Sequence, residues 1–284
     1  MHFLPELLAV ISAMMYALSS VLIKRGLNFS NSHSGVLISI ITNVISLWVV
    51  AIFFLPLALL FSPYILIFVA AGILAPGIAR MLRYVSLERI GVSRTAPLTA
   101  TSPVYASLFA VFFLKEEITA AIIIGTILII FGVIFISRGS LKIQKEDMIF
   151  ALIAAFITGI AAPIRKLGLN YLNYPLLAAV VTATAAMAVA VSILYYRGNI
   201  RKCRFDKGTK FYAVSGLLIS AALLFNFAAL SAGNVSVVVP LLTTYPLFAI
   251  FFSHLFLSHV EKIDSKVWIG AVVIVAGAVM LSVF

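Results

Sequence analysis

The chain has 284 residues, of which 63% are hydrophobic and 10% charged, with 20 Lys and Arg against nine Asp and Glu. Soluble domains run near half apolar and a quarter charged, so these proportions exclude a water-soluble fold. A net charge of +11 would suggest nucleic acid in a soluble chain; in a membrane chain it belongs in cytoplasmic loops, and no nucleic-acid partner is expected.

A helical bilayer span takes about 20 apolar residues. Ten spans are expected, over 3–23, 35–61, 64–85, 95–114, 119–137, 148–168, 175–196, 209–231, 235–257 and 267–284. Continuous apolar runs such as Ala120 to Ile136 exclude the alternation of a membrane β-barrel. The first span is long enough to cross and lacks a basic segment before it, so no cleavable signal is expected. Ser12, Tyr16 and Ser19 share one of its faces, which suits either small-residue helix packing or substrate contact. It ends Lys24-Arg25-Gly26: cations suit a helix C-terminus, and glycine suits the position just past it.

In the third span Arg80, Arg83 and Tyr84 fall on one face. Arg83 can reach the interface, with Glu88 nearby, while Arg80 lies a turn deeper. Arg80 either snorkels to the headgroups or meets an anion, since a planar guanidinium suits carboxylate or phosphate. In the fourth span Thr99, Thr101 and Ser102 surround Pro103. Proline removes one helix hydrogen bond and frees the carbonyl four residues back, here that of Thr99. Backbone freed at membrane depth must face protein or a wet cavity. The kink therefore serves either packing or a substrate path. Gly125 and Gly132 share a face of the fifth span, for close helix packing or a dimer seam. The sixth span carries Thr158 and ends Arg165-Lys166-Leu167-Gly168, like the first. The eighth carries Asn226 at mid-span. In the ninth, Thr243, Thr244 and Tyr245 precede Pro246, which frees the carbonyl of Leu242; His254 lies near its end and reads as structural. The tenth repeats the glycine pair as Gly270 and Gly277.

These correspondences form an internal repeat, residues 1–138 against 147–284. Lys24, Gly26 and Asn28 return as Lys166, Gly168 and Asn170. Pro97, Thr101 and Pro103 return as Pro240, Thr244 and Pro246. Tyr16 aligns with Thr158, and Arg83 with Asn226. Five helices is an odd number, so the second unit enters the membrane inverted. The loop between spans 2 and 3 contains no Lys or Arg, whereas its counterpart between spans 7 and 8 contains six. Counted by face, 17 of the 20 basic residues lie on one side, which puts both termini outside.

The stretch Ala96-Pro97-Leu98-Thr99-Ala100-Thr101-Ser102-Pro103, followed by Phe113-Leu114-Lys115-Glu116-Glu117, recurs as Val239-Pro240-Leu241-Leu242-Thr243-Thr244-Tyr245-Pro246 with Phe256-Leu257. There the acidic residue is displaced to Glu261. On these residues the sequence resembles the drug/metabolite transporter superfamily, in its ten-helix EamA-type form. The resemblance implies an all-α integral membrane protein of two inverted five-helix repeats. It also implies a substrate cavity between them, lined by helices 1, 3, 4, 6, 8 and 9. The candidate substrate-binding residues are Tyr16, Arg80, Tyr84, Thr99, Thr101, Pro103, Thr158, Asn226, Thr243, Thr244, Tyr245 and Pro246. It implies cytoplasmic termini, against the charge count, and the charges are followed here.

The expected function is a secondary transporter in the cell membrane that moves a small polar metabolite, such as an amino acid or sugar, by alternating access. A lipid flippase on the same fold is the alternative. An intramembrane enzyme fits less well, because no HExxH motif, mid-span carboxylate pair or cysteine in a span supplies chemistry. No catalytic residue, metal or cofactor is expected. The lone Cys203 excludes an internal disulfide and a cysteine-based metal site. Proton coupling through a buried carboxylate has no good candidate, since even Glu6 sits near the interface. The partners expected are the solute and the bilayer, for a monomer or homodimer.

Overall fold

Asn31 starts the second helix three residues earlier than the hydrophobic pattern suggests. Its side chain accepts from the Ser34 N–H at 2.9 Å and satisfies one orphan donor of the first turn. Pro56 stops the same helix at Phe54 by holding Leu55 extended, at φ −98° and ψ 119°. The remainder of that expected span, Leu57–Phe61, is a short 3-10 turn. The protein, seen in a computed structural model, is described over residues 4–105, 108–109, 120–137, 145–232, 241–257 and 264–283. Its helices are α1 (Leu4–Leu27), α2 (Ser32–Phe54), α3 (Ile65–Ile90), α4 (Val92–Thr99), α5 (Ala120–Ser137), α6 (Lys145–Tyr171), α7 (Pro175–Tyr196), α8 (Thr209–Ala232), α9 (Tyr245–Leu257) and α10 (Ser265–Val283). Six of them (α1, α2, α3, α6, α7 and α8) are long and apolar enough to cross a bilayer. No strand occurs among the described residues. Gly91 makes the tight turn from α3 to α4 at φ 81°, a left-handed conformation that glycine adopts freely.

The two repeats are interleaved rather than set side by side. α1 packs on α8 and α6 on α3; α4 packs on α9 and α5 on α10; α2 lies against α7 and α8. The closest contacts come in symmetric pairs. A Cβ added at Gly72 would lie 2.6 Å from the Thr182 carbonyl oxygen, and one at Gly216 would lie 2.6 Å from that of Ser39. On α5 and α10, a Cβ at Gly132 would lie 2.7 Å from the Gly270 oxygen, and one at Gly277 would lie 2.7 Å from the Gly125 oxygen. These glycines close a seam within one chain, which answers the question left open between internal packing and a dimer seam.

Gly26 and Gly168 correct a further expectation. They are not C-terminal caps, because α1 and α6 run past them to Leu27 and Tyr171. Each instead makes room for an aromatic ring of the other repeat: a Cβ would lie 2.5 Å from Tyr212 at Gly26 and 2.6 Å from Phe68 at Gly168. Arg165 and Lys166 are correspondingly inside α6, not at its end.

Contacts at the helix ends sort the connections by face. Lys24 Nζ donates to the carbonyls of Leu87 at 2.9 Å and Glu88 at 3.1 Å, and Arg25 Nη2 to that of Phe256 at 3.2 Å. Asn31 Nδ2 donates to the Lys202 carbonyl at 2.9 Å, and Arg89 pairs with Asp147 at 2.6 Å. The ends of α1, α3 and α9, the start of α6, and the α1–α2 and α7–α8 connections therefore share one face. At the opposite end Tyr64 stacks on Tyr171 with centroids 4.8 Å apart, and the Tyr174 hydroxyl donates to the Phe54 carbonyl at 2.9 Å. The α2–α3 connection and its repeat counterpart α7–α8 thus sit at opposite ends, which is the inversion. The charge count changes in detail: Arg80, Arg83, Arg94 and Arg165 lie within helices, and among the other described residues 11 basic residues lie at the first face against Lys166 toward the other.

Gly72→Ala and Gly216→Ala are each expected to destabilise the protein by about 1–3 kcal/mol, because a main-chain oxygen cannot retreat from the added methyl. Gly198→Ala meets nothing within 4 Å and bears only its positive φ, roughly 1–2 kcal/mol. Thermal unfolding in detergent compares them; equal loss at Gly72 and at a solvent-exposed alanine control would refute the close contact.

Candidate functional site

α4 and α9 are interrupted at matching positions. Helix stops at Thr99, turns at 100–101 and resumes over 102–105; the second repeat turns at 243–244 before α9 begins. The hydrogen bonds at the two breaks correspond one to one. Thr101 N–H donates to the Leu98 carbonyl at 3.3 Å and Val104 N–H to that of Thr101 at 3.1 Å. Thr244 N–H donates to the Leu241 carbonyl at 3.2 Å and Leu247 N–H to that of Thr244 at 3.0 Å. Pro103 and Pro246, lacking an N–H, cannot continue the α-helical ladder, so the chain closes tighter turns ahead of them. The expected kinks are full interruptions. The Thr101 and Thr244 hydroxyls donate to the same Leu98 and Leu241 carbonyls at 2.7 Å and 2.6 Å, which uses both side chains to hold the breaks.

Tyr245 ties one break to the other. Its hydroxyl donates to the Ala96 carbonyl at 2.7 Å and meets the Thr99 hydroxyl, which also bonds the Thr95 carbonyl at 2.9 Å. Arg83 lies 5.7 Å from the centre of the Tyr245 ring. Its Nη2 donates to the Ser20 hydroxyl, which donates in turn to the Tyr16 carbonyl at 2.9 Å.

Arg80 reaches the same region from a distorted part of α3. Residues Ile73–Ile78, with Pro76 among them, form a π-helical turn, and Arg80 stands just beyond it. Such bulges swing the side chains that follow relative to a regular helix. Arg80 is 8% exposed. Its Nη2 donates to Asn43 Oδ1 at 3.1 Å, and Asn43 Nδ2 donates to the Ser220 hydroxyl at 2.8 Å. Ser46 joins that hydroxyl at 2.6 Å. Tyr16 packs against the same core cluster as Tyr245.

The twelve sequence candidates separate accordingly. Thr99 and Tyr245 meet across the repeats, Tyr16 packs against the same cluster as Tyr245, Arg80 bonds Asn43, and Thr101, Pro103, Thr243, Thr244 and Pro246 build the two breaks. Tyr84 is fully buried in the core, with its hydroxyl donating to Ser39 at 2.6 Å. Thr158 donates to its own helix at the Ala154 carbonyl, 2.7 Å away. Asn226 is half-buried on α8. Ser12 bridges helices, donating to the Ala222 carbonyl at 2.7 Å, and His254 is exposed. Sequence reasoning missed Asn43, Ser220 and Ser20; an amide in the middle of the apolar second span was the available signal for Asn43.

The family described as the EamA-like transporter family matches this chain twice, over residues 3–138 and 147–283. An "Uncharacterized transporter" of Archaeoglobus fulgidus is 26% identical over 237 residues, covering 81% of this chain and 83% of that protein. A Sinorhizobium protein described as an "Uncharacterized transporter in cobO 3'region" is 31% identical over 137 residues, 48% of this chain and 95% of that protein. A solved crystal structure superposes with TM-score 0.69 over 97% of this chain and 95% of its own, at 12% identity, which is a likeness of fold.

Tyr245→Phe removes the strut between the breaks and is expected to lower stability by about 0.5–1.5 kcal/mol in thermal unfolding. Thr158→Val, whose hydroxyl bonds only its own helix, is expected to stay within about 0.5 kcal/mol of the wild type. A Tyr245→Phe protein as stable as the wild type would show that the strut carries no load.

Proposed function

The chain belongs to the EamA-like transporter family, and from that premise we propose that it carries a small polar metabolite across the cell membrane by alternating access between its two repeats. It is a membrane transporter; the metabolite class and the alternating-access mechanism are our reading. The observation that carries this reading is the pair of matched interruptions in α4 and α9, joined by Tyr245. Interrupted helices in corresponding positions of inverted repeats mark the solute site of secondary transporters, because backbone freed from the helix ladder is tolerated only against protein or a wet pathway. Each break also gives its helix a hinge. Tyr245 and Arg83 connect the hinges to α1 and α3, so a solute between the repeats would meet both halves at once. One chain supplies the whole pathway. Amino acids, sugars and related compounds fit the hydroxyl and guanidinium groups gathered there.

Full-length protein in liposomes preloaded with unlabelled amino acids, sugars or nucleotides is expected to show saturable counterflow of at least one labelled counterpart. Absence of counterflow across that panel with the protein inserted in both orientations, alongside flipping of a labelled phospholipid, would move the substrate to lipid.

We further propose that both termini face outside, from the 11 described basic residues on the face opposite them. Cys203 lies on that basic face, in the α7–α8 connection. Burial raises its thiol pKa, so the reactive thiolate is scarce at neutral pH and more abundant above it. At about pH 8.5 an impermeant maleimide is expected to label Cys203 only after permeabilisation. Labelling of intact cells would reverse the orientation.

A further inference from the structure

We propose that Arg80, Arg83 and Arg165 form a receptor for one anionic group of the solute, a carboxylate or a phosphate, between α3 and α6. The inference rests on the carrier reading for the identity of the ligand as cargo, and on the three guanidinium groups for its charge.

Each of the three has a buried nitrogen with no hydrogen-bond partner: Nη1 of Arg80, Nε of Arg83 and Nε of Arg165. Arg80 is more than nine-tenths buried. Removing a cation from water costs several kcal/mol unless a partner repays it, and unpaired cations in a span mark a pathway or an ion's place. The usual repayment is an internal carboxylate. Arg89 has one in Asp147, and Lys24 and Arg25 have helix-end carbonyls. Among the described residues no carboxylate accepts from Arg80, Arg83 or Arg165.

The three belong to both repeats, Arg80 and Arg83 to α3 and Arg165 to α6, which packs on α3. Two are positioned. Asn43 and Ser220 fix one arm of Arg80 and leave the other free; Ser20 and the Tyr245 ring fix Arg83. Among the described residues the buried Nε of Arg165 has no hydrogen-bond partner, and it is the cation the second repeat supplies. A planar fork offers paired donors that match the oxygens of a carboxylate or phosphate, and charge-assisted bonds of this kind are the strong ones. A neutral solute would leave these guanidinium nitrogens without an acceptor.

A soluble metabolite and a phospholipid headgroup offer the same anion, so the test separates them. Thermal unfolding of the purified full-length protein is followed with glucose 6-phosphate against glucose, succinate against succinamide, inorganic phosphate, and water-soluble dihexanoyl phosphatidic acid. The charged member of a pair is expected to raise the midpoint and the neutral member to leave it unchanged. Stabilisation by the phosphatidic acid alone keeps the receptor and makes its ligand a headgroup.

Arg165→Gln is expected to weaken anion binding by about tenfold or more while raising the midpoint of the ligand-free protein, since an unpaired buried charge is gone. Arg80→Lys keeps the charge, loses the fork and is expected to weaken binding comparably. The proposal is overturned if no anion stabilises, if neutral members stabilise equally, or if both variants retain wild-type affinity. A lower ligand-free midpoint in Arg165→Gln would make that residue structural and remove it from the receptor. Anion stabilisation without counterflow would leave the receptor standing and sink the carrier reading; counterflow of a neutral solute without anion stabilisation would do the reverse.

Discussion

A main-chain oxygen of one repeat rests on a glycine of the other, and this contact sets how close the halves come. It occurs at Thr182 on Gly72 and Ser39 on Gly216, and again at Gly270 on Gly132 and Gly125 on Gly277. In hydrocarbon no hydrophobic force draws apolar helices together, so close backbone approach and a few polar bonds must do it. Small residues make that approach available, and here they are placed symmetrically. The aromatic rings of Tyr212 and Phe68 lie over Gly26 and Gly168 by the same symmetry. Everything at the centre inherits the spacing these contacts set, including the reach of Tyr245 to Ala96.

Between the close contacts the halves leave room for polar groups. The breaks in α4 and α9 are stabilised from within, by Thr101 and Thr244 bonding the turn just before each. Those hydroxyls are therefore committed to the backbone, while the Tyr245 hydroxyl is committed to the other repeat. Among the described residues Arg80, Arg83 and Arg165 each keep a buried guanidinium nitrogen with unspent hydrogen-bonding capacity. The chemistry of the centre is thus one-sided in charge, even though the fold around it is symmetric.

The spans and the repeat were legible because they rest on local patterns. α7 runs over Pro175–Tyr196, the span the hydrophobic pattern marks, with proline at its first turn. The interrupted helices were legible as prolines, though not as complete breaks, because the tighter turns depend on bonds that a sequence pattern does not display. Gly26 and Gly168 misled for a related reason. A glycine after two basic residues looks like a helix end, and only the ring stacked on it from the other repeat explains its place. Arg80 was legible as a deep cation. Its partner Asn43, 37 residues earlier, and the next link Ser220, 177 residues beyond Asn43, were not, since nothing local connects them. Arg165 was discounted as a helix-end charge because α6 was expected to stop sooner than it does.

The interleaving of the repeats bears on how the chain is made. Thr182 lies 110 residues after Gly72, and Gly270 lies 138 residues after Gly132. The first repeat therefore leaves the translocon before the surfaces that cover it exist. α1 and α2 can wait singly in lipid, because their ladders satisfy their own backbone. The interrupted fourth helix cannot do so on equal terms, since its break is exposed until Tyr245 arrives to meet Ala96. The bond that closes the break thus waits for the synthesis of α9, and the Gly132–Gly270 contact for that of α10.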